Sequence, residues 1–401
     1  MTSSLLIRSG RLVDPAVGGA DATSEEPAAR DLLVVDGRLV EVGNDLRAPS
    51  DVKVVDASGR FVLPGLVDAH VHLCFDPARH PEQWLADASD AEVEEVVHEA
   101  AVRTVRAGVT TVRDLGSRGY TLRRARKRID AGERPGPRIL SSGPVITEAR
   151  GHCHFVGESP GTRDEAARTV LEHWNAGDEW IKIMVTGGAL TRGSDPNRIQ
   201  WGAEQVQHLV EVAGRLGLPV AAHVLSRAGA RIAIEAGVTT VEHGVDLTPE
   251  DVDELVRRGQ HLVPVLSPSL LLLASEAADP QHRAKLEAVV DVLHRSTRSA
   301  IDRGASILVG TDAGCPAVPH GISVLHEMHA LERLGMSRTA VLRAATDLSA
   351  LLGRTEPAAF SRGAAADFVL LDGDPRTDLS VMASPALVVA RGAVVRTNTD
   401  S

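Results

Sequence analysis

The sequence predicts an α/β protein, a (β/α)₈ TIM barrel with a small β-sandwich domain built from both termini. Three observations predict it. Short apolar runs alternate with longer amphipathic stretches from about Gly65 to Gly353, and eight such units fit in that span. Outside it the chain holds short apolar strands and Gly turns with no helical pattern between them. An open doubly wound sheet is the alternative reading of the same alternation.

Taken in order, the strand candidates are LVDAHVHL (66–73), VTTVRDL (109–115), RILSSGPVI (138–146), WIKIMVT (180–186), PVAAHV (219–224), VTTVEHG (238–244), HLVPVLS (261–267) and SILVGTD (306–312). Helical patterns lie between them, at 91–108, 202–217, 227–237 and 284–304, with apolar residues three and four apart and several closed by Gly. An internal echo, AGVTTVRD (107–114) and AGVTTVEH (236–243), repeats a helix end, a glycine and a strand. The segment 336–353 reads as a helix leading out of the barrel. The predicted domains are therefore a composite β-sandwich from 1–62 and 357–401, and a barrel from 63–356.

In a parallel barrel the C-terminal strand ends line the active face, so polar residues placed there are candidates for chemistry. Alternation along the first strand puts Asp68, His70 and His72 on one face, and two imidazoles so spaced can converge on one ion. Each further candidate has an ordinary explanation taken singly: a strand-end His is commonly a structural hydrogen-bonder, and a Lys in an apolar run commonly reaches out to water. Lys182 sits inside WIKIMV, where a bare ammonium is costly to desolvate. His223 ends PVAAH, His243 ends VTTVEH and Asp312 ends ILVGTD. Their occurrence together, at the same end of separate strands, points to a metal site.

HVH on the first strand, Lys on the fourth, His on the fifth and sixth and GTD on the eighth resemble the amidohydrolase superfamily, in its binuclear, carboxylated-lysine form. Through VITEARGHCHFVG (145–157), IKIMVTGGAL (181–190) and AGVTTVEHG (236–244) the likeness is to its prolidase-like and imidazolonepropionase-like branch. The resemblance implies two divalent ions, with Zn²⁺ the first choice. It implies that His70, His72 and Asp312 hold the more buried ion and His223 and His243 the more exposed one. Lys182 would bridge them as N6-carboxylysine, which turns a buried cation into an anion. Asp312 becomes the general acid-base residue, and His152 or His154 a hydrogen-bond donor to the scissile carbonyl. The loop RGHCH (150–154) departs from the branch, which more often reads GGHGH; Arg150 adds a positive charge there, so a carboxylate-bearing substrate is expected. Gly187, Gly188, Arg192, His320 and His326 are further candidates for substrate contact, while Arg113 and Asp114 read as braces of the barrel floor or of a loop.

The implied activity is hydrolysis of a C–N (amide) bond, by hydroxide held between the metals, in an N-acyl amino acid or dipeptide-like substrate. The alternatives are ring opening of an imidazolone, hydantoin or lactam, a non-hydrolytic metal-dependent reaction, and a scaffold without turnover. No nucleophilic thiol is needed, although Cys74, Cys153 and Cys315 all fall near site motifs.

Composition bounds the rest. In 401 residues with a formal charge of −11 no basic face offers itself to a phosphate backbone, so nucleic acid is not an expected partner. The cluster Arg123, Arg124, Arg126, Lys127 and Arg128 reads as a solvated helix face. No apolar run approaches the ~18 residues of a membrane span and no leader pattern is present, so a soluble, cytoplasmic protein with no membrane partner is expected. Three widely spaced cysteines give no disulfide framework. The expected partners are a small-molecule substrate and, by analogy with the branch, other copies of the chain in a homo-oligomer.

Overall fold

The computed structural model describes residues 4–16, 27–275, 279–352 and 357–397. The terminal strands lie in one eight-stranded sheet. Its path runs Ala393–Thr397, Leu387–Ala390, Phe368–Leu371, Phe61–Pro64, Ser4–Leu12, Ala29–Val35 and Arg38–Gly43, with Lys53–Asp56 pairing on Ser4–Leu12. The two ends of the chain meet where Phe368–Leu371 runs antiparallel to Phe61–Pro64, residue Leu370 opposite Val62. One face buries Leu5, Ile7, Leu32, Val34, Val62, Phe368 and Leu370, each apolar side chain contributing about 1.5–3 kcal/mol when fully buried.

The central part alternates strand and helix as its periodicity predicts. Leu66–Val71, Val109–Asp114 and Arg138–Ser141 form a three-stranded parallel sheet. A seven-stranded parallel sheet runs Gly157–Glu158, Val145–Ile146, Ile181–Met184, Val220–Val224, Thr240–His243, His261–Val263 and Ser306–Ile307. Backbone hydrogen bonds join the two sheets on both sides. Ser141 O accepts from Trp180 N (3.1 Å), and on the other flank Ala69 N donates to Val309 O (2.8 Å) and Asp312 N to His70 O (2.7 Å).

Helices pack outside these sheets. Asp90–Arg106 starts with a capping box in which Ser89 and Glu92 exchange hydrogen bonds, satisfying amides that the first turn would leave without partners. It buries Val93, Val97, Ala100, Ala101 and Val105, one stripe at helical spacing. Arg227–Ala236 ends at Gly237, whose φ of 82° is the left-handed conformation that terminates helices.

Four expected elements differ. The strand predicted over 138–146 is two, interrupted at 142–144, where Gly143 takes a φ of 64°. The strand predicted over 261–267 stops at Val263, because a helix, Ser267–Ala274, starts at its end. That helix is capped from afar: Glu327 accepts from Leu266 N (2.8 Å), Ser267 N (2.7 Å) and Ser267 Oγ (2.7 Å). The last strand is only Ser306–Ile307, since Leu308 to Asp312 bond to scattered partners rather than to one ladder. Finally, the helix predicted over 336–353 is two, Arg338–Ala344 and Leu348–Leu352. The break falls where the carbonyls of Ala344 and Ala345 accept from Val309 N, just past Ser306–Ile307, and from Val67 N, in Leu66–Val71. Beside it Leu351 O accepts from the indole of Trp180.

No helix among the described residues is long and apolar enough to cross a membrane.

Candidate metal centre

The first strand does not place its histidines by simple alternation. Val67 and Ala69 pack in the interior cluster with Trp180, Ala221 and Val263. Asp68, expected on the histidine face, instead accepts from Thr311 N (3.1 Å), Thr311 Oγ1 (2.6 Å) and His70 N (3.2 Å). The pairing register with Val109–Asp114 shifts between Asp68 and Val71, and past this irregularity His70 and His72 face a cavity that they line with Asp312.

There His70, His72 and Asp312 come together, each with one ligand atom within 4.8 Å of the others. Asp312 Oδ1 lies 3.2 Å from His72 Nε2 and 3.5 Å from His70 Nε2, and it makes no well-formed hydrogen bond. The imidazoles continue as a chain. Ring centroids are 5.4 Å apart for His70 and His243, 4.7 Å for His243 and His223, and 4.5 Å for His223 and His152. His243 and Asp312 both have positive φ, 67° and 59°, a conformation that costs non-glycine residues energy and clusters at functional sites.

Three of these rings are anchored through one nitrogen, which leaves the other with its lone pair. His70 Nδ1 meets Glu242 Oε2 at 2.8 Å, His72 Nδ1 meets Gly116 O at 3.0 Å, and His223 Nε2 meets Gly187 O at 3.1 Å. Burial pushes His70 down to about 4 and His243 to about 3, so both rings are neutral at pH 7, the form that ligates a cation. Burial by itself would raise the Asp312 carboxyl; the imidazoles of His70 and His72 hold it well below the usual carboxylate range.

Lys182 Nζ is fully buried and has no hydrogen-bond partner. Burial pushes its ammonium down to about 8. An uncompensated cation so placed is costly, which fits a lysine that carries a further group when the site is complete.

The residues that sequence reasoning left out lie one layer deeper. Arg113 donates from Nε to Ala69 O (2.6 Å), from Nη1 to Thr240 Oγ1 (3.0 Å) and from Nη2 to Glu242 Oε1 (2.8 Å), with its guanidinium 4.2 Å from the Trp180 ring centroid. Glu242 also accepts from Thr240. Arg113, read only as a brace, thus holds the carboxylate that holds His70. A signal for the pair was present: Arg113 and Glu242 occupy the same place in AGVTTVRD and AGVTTVEH, opposite charges in two strands of matching sequence. Asp114 braces loops, accepting from Leu73 N (2.7 Å), Gly116 N (3.2 Å) and Ser117 Oγ (2.7 Å).

The outer candidates separate. His152 lines the cavity, with Nδ1 unpartnered and its ring against His223. Gly188 gives it room, since a Cβ there would sit 2.2 Å from that ring. Gly187 supplies the carbonyl under His223 and packs so close to Asp195 that a Cβ would be 2.1 Å from its carbonyl oxygen. His154 is not brought in: it is half-buried beside Glu82, its Nδ1 on Gly151 O. Arg150 is exposed and absent from the lining, and Arg192 is exposed and paired with Asp279 at 3.1 Å. His320 is buried behind the site, its Nε2 on His72 O at 3.2 Å, and His326 does not line the cavity. Cys153 and Cys315 line it as free thiols, while Cys74 packs beneath. Burial raises all three thiols, Cys74 to about 12, which removes the thiolate a nucleophile requires.

Parallel strands that bring a candidate His-His-Asp metal group into one cavity define a class of enzyme scaffold, and comparison with known proteins makes it specific. The model of the amidohydrolase family matches residues 61–395, and the chain belongs to that family, in its prolidase-like and imidazolonepropionase-like branch. It is 29% identical to the ochratoxinase of Aspergillus niger, covering 90% of this chain and 82% of that one. With the imidazolonepropionase of Streptomyces griseus subsp. griseus it shares 26% identity, over 97% and 98% of the two chains. The crystal structure of a Xaa-Pro dipeptidase with methionine bound in the active site superposes with a TM-score of 0.86 at 25% identity, covering 98% of this chain and 99% of the other. The chain is thus an enzyme of a hydrolase family acting on small molecules.

Proposed function

We propose that this enzyme hydrolyses the C–N bond of a small-molecule amide with two divalent cations, Zn²⁺ the first choice. We further propose that the two parallel sheets, joined on both sides, form one closed (β/α)₈ barrel spanning 63–356, with 1–62 and 357–401 as the composite β domain. The observation that carries the reading is the lone Lys182 Nζ, buried without a partner in the cavity that also holds a cluster of imidazoles and a carboxylate oxygen without a hydrogen bond. His70, His72 and Asp312 would hold one ion, His223 and His243 the other. Lys182 would reach both as N6-carboxylysine; its free amine adds CO₂ and releases a proton, which replaces an unpaired cation with an anion.

When bound, such ions lower the pKa of water and polarise a carbonyl oxygen. The protein's own groups do the rest. Asp312, on a backbone held at positive φ, takes a proton from the attacking water and returns it to the departing nitrogen. Glu242, fixed by Arg113, keeps the proton of His70 on Nδ1 and so directs Nε2 into the site. His152, buried and unanchored at Nδ1, is placed to bond the substrate carbonyl. His154, in contact with Glu82 and outside the lining, takes no part in this scheme.

Likeness to an imidazolonepropionase over 97% of the chain favours ring opening of a cyclic amide as a second reading. One experiment tests both: metal content by mass spectrometry alongside turnover of linear amides, dipeptides and cyclic ureides. Two equivalents of metal with cleavage of an amide is the expected result. Bound metal with no hydrolysis of any member overturns it.

A further inference from the structure

We infer that the substrate presents a neutral, apolar group to this site rather than a carboxylate. This rests on the hydrolase reading and narrows it. The sequence suggested the opposite through Arg150, but that side chain is exposed and does not reach the cavity. Around the candidate metal ligands the wall is built by Leu190, Leu225, Val245, Leu286, Val289 and Leu293. Three of these, with the buried His282, come from the single helix Pro280–Asp302, so a continuous apolar surface faces the histidines.

Among the described residues of the lining, Lys182 is the one Lys or Arg, and the proposed bridge uses it. Apart from the site histidines and Asp312, the polar groups that remain are Ser269, His282 and the thiols of Cys153 and Cys315. Cations do occur nearby, in an adjoining groove that shares Leu225, Val245 and Val289 with the metal cavity. They are engaged elsewhere. Lys285 Nζ donates to Thr191 O (2.9 Å) and Gly188 O (3.4 Å), and exposed Arg227 lies 3.7 Å from Asp251. Asp246 lines the same groove and would repel an anion. A substrate carboxylate set against the wall would lose its hydration without gaining a partner, a penalty larger than that for a neutral polar group. An alkyl or aryl group there gains by burial.

The test uses the zinc-loaded, full-length enzyme and a pair of amides that differ by one group, N-benzoyl-leucine and N-isopentylbenzamide, which lacks the carboxylate. The neutral member is expected to have the higher kcat/KM by about 10-fold or more. Equal values, or preference for the acid, overturn the inference while leaving the hydrolase reading intact. Val289→Arg, at the half-buried junction of the two cavities, puts a cation in the wall and should shift the ratio toward the acid by about 10-fold; an unmoved ratio in a folded, metal-loaded variant also overturns it. If neither amide is cleaved, the wider panel of linear amides, dipeptides and cyclic ureides decides the hydrolase reading, and calorimetric binding of the same pair decides the preference of the wall.

Discussion

Between the strands, every nitrogen of the Arg113 guanidinium has an acceptor and both oxygens of Glu242 are engaged. In the cavity just beyond, Lys182 Nζ, Asp312 Oδ1 and His152 Nδ1 are buried without a hydrogen bond. The two layers carry the same kinds of charge at similar burial, so the difference is one of partnership. A complete buried network is self-sufficient and can act as a rigid base. An incomplete one is costly unless something outside the chain completes it, and a pair of cations with a carbamate would satisfy these atoms.

Breaking the mouth should cost function, and breaking the base should cost the fold. The largest effect is expected from Asp312→Asn, which should retain metal and lower kcat by about 10² to 10⁴; near-normal turnover would remove Asp312 from its role. Next, Arg113→Met leaves Glu242 as an uncompensated buried anion and should lower unfolding free energy by about 3–5 kcal/mol, read from urea midpoints. Lys182→Met is the counterpart in the incomplete layer. In metal-free protein it removes a cation that has no partner, so stability should hold or rise by about 1–3 kcal/mol, while metal stoichiometry falls below that of the parent. Destabilisation of the metal-free form by this substitution would show that Lys182 is paired after all.

The last effect lies outside both layers, in a histidine that is paired. His173 bonds Ser142 O at 2.8 Å and faces Asp178 (3.3 Å) and Glu158 (3.4 Å). Burial opposes its charge, but the two carboxylates raise it to about 9. A folded-state value above the unfolded one near 6.5 means that this stabilisation is complete below pH 6.5 and is lost as pH rises through 9. It amounts to about 3 kcal/mol at most. His173→Gln should flatten the urea midpoint between pH 6.5 and 9; an unchanged slope would show that the charge is not held.

Much of the site was legible because strand-end polar residues stand out against apolar runs: His70, His72, Lys182, His223, His243 and Asp312 each interrupt one. Glu242 interrupts one too. It was passed over because a carboxylate beside a candidate ligand is ambiguous until its partner across the interior is known. Arg150 and His154 are candidates through the likeness of the loop RGHCH to the branch and the charge of Arg150, and a loop's sequence says little about which way its side chains turn. The β-bulge at 68–71 left no signature, since alternation of polar and apolar residues there reads as an undisturbed strand.

The alternation of strand and helix, the assembly of a terminal sheet from both ends and the types of residue at the strand ends were determined by the sequence itself, because periodicity and burial preference act over a few neighbours. Which nitrogen each histidine presents, that Arg113 anchors Glu242, that Lys182 has no partner and that the surrounding wall is apolar were decided only in three dimensions. Those properties depend on groups far apart in the chain, His72 and Asp312 being separated by 240 positions. Packing alone brings such groups within reach.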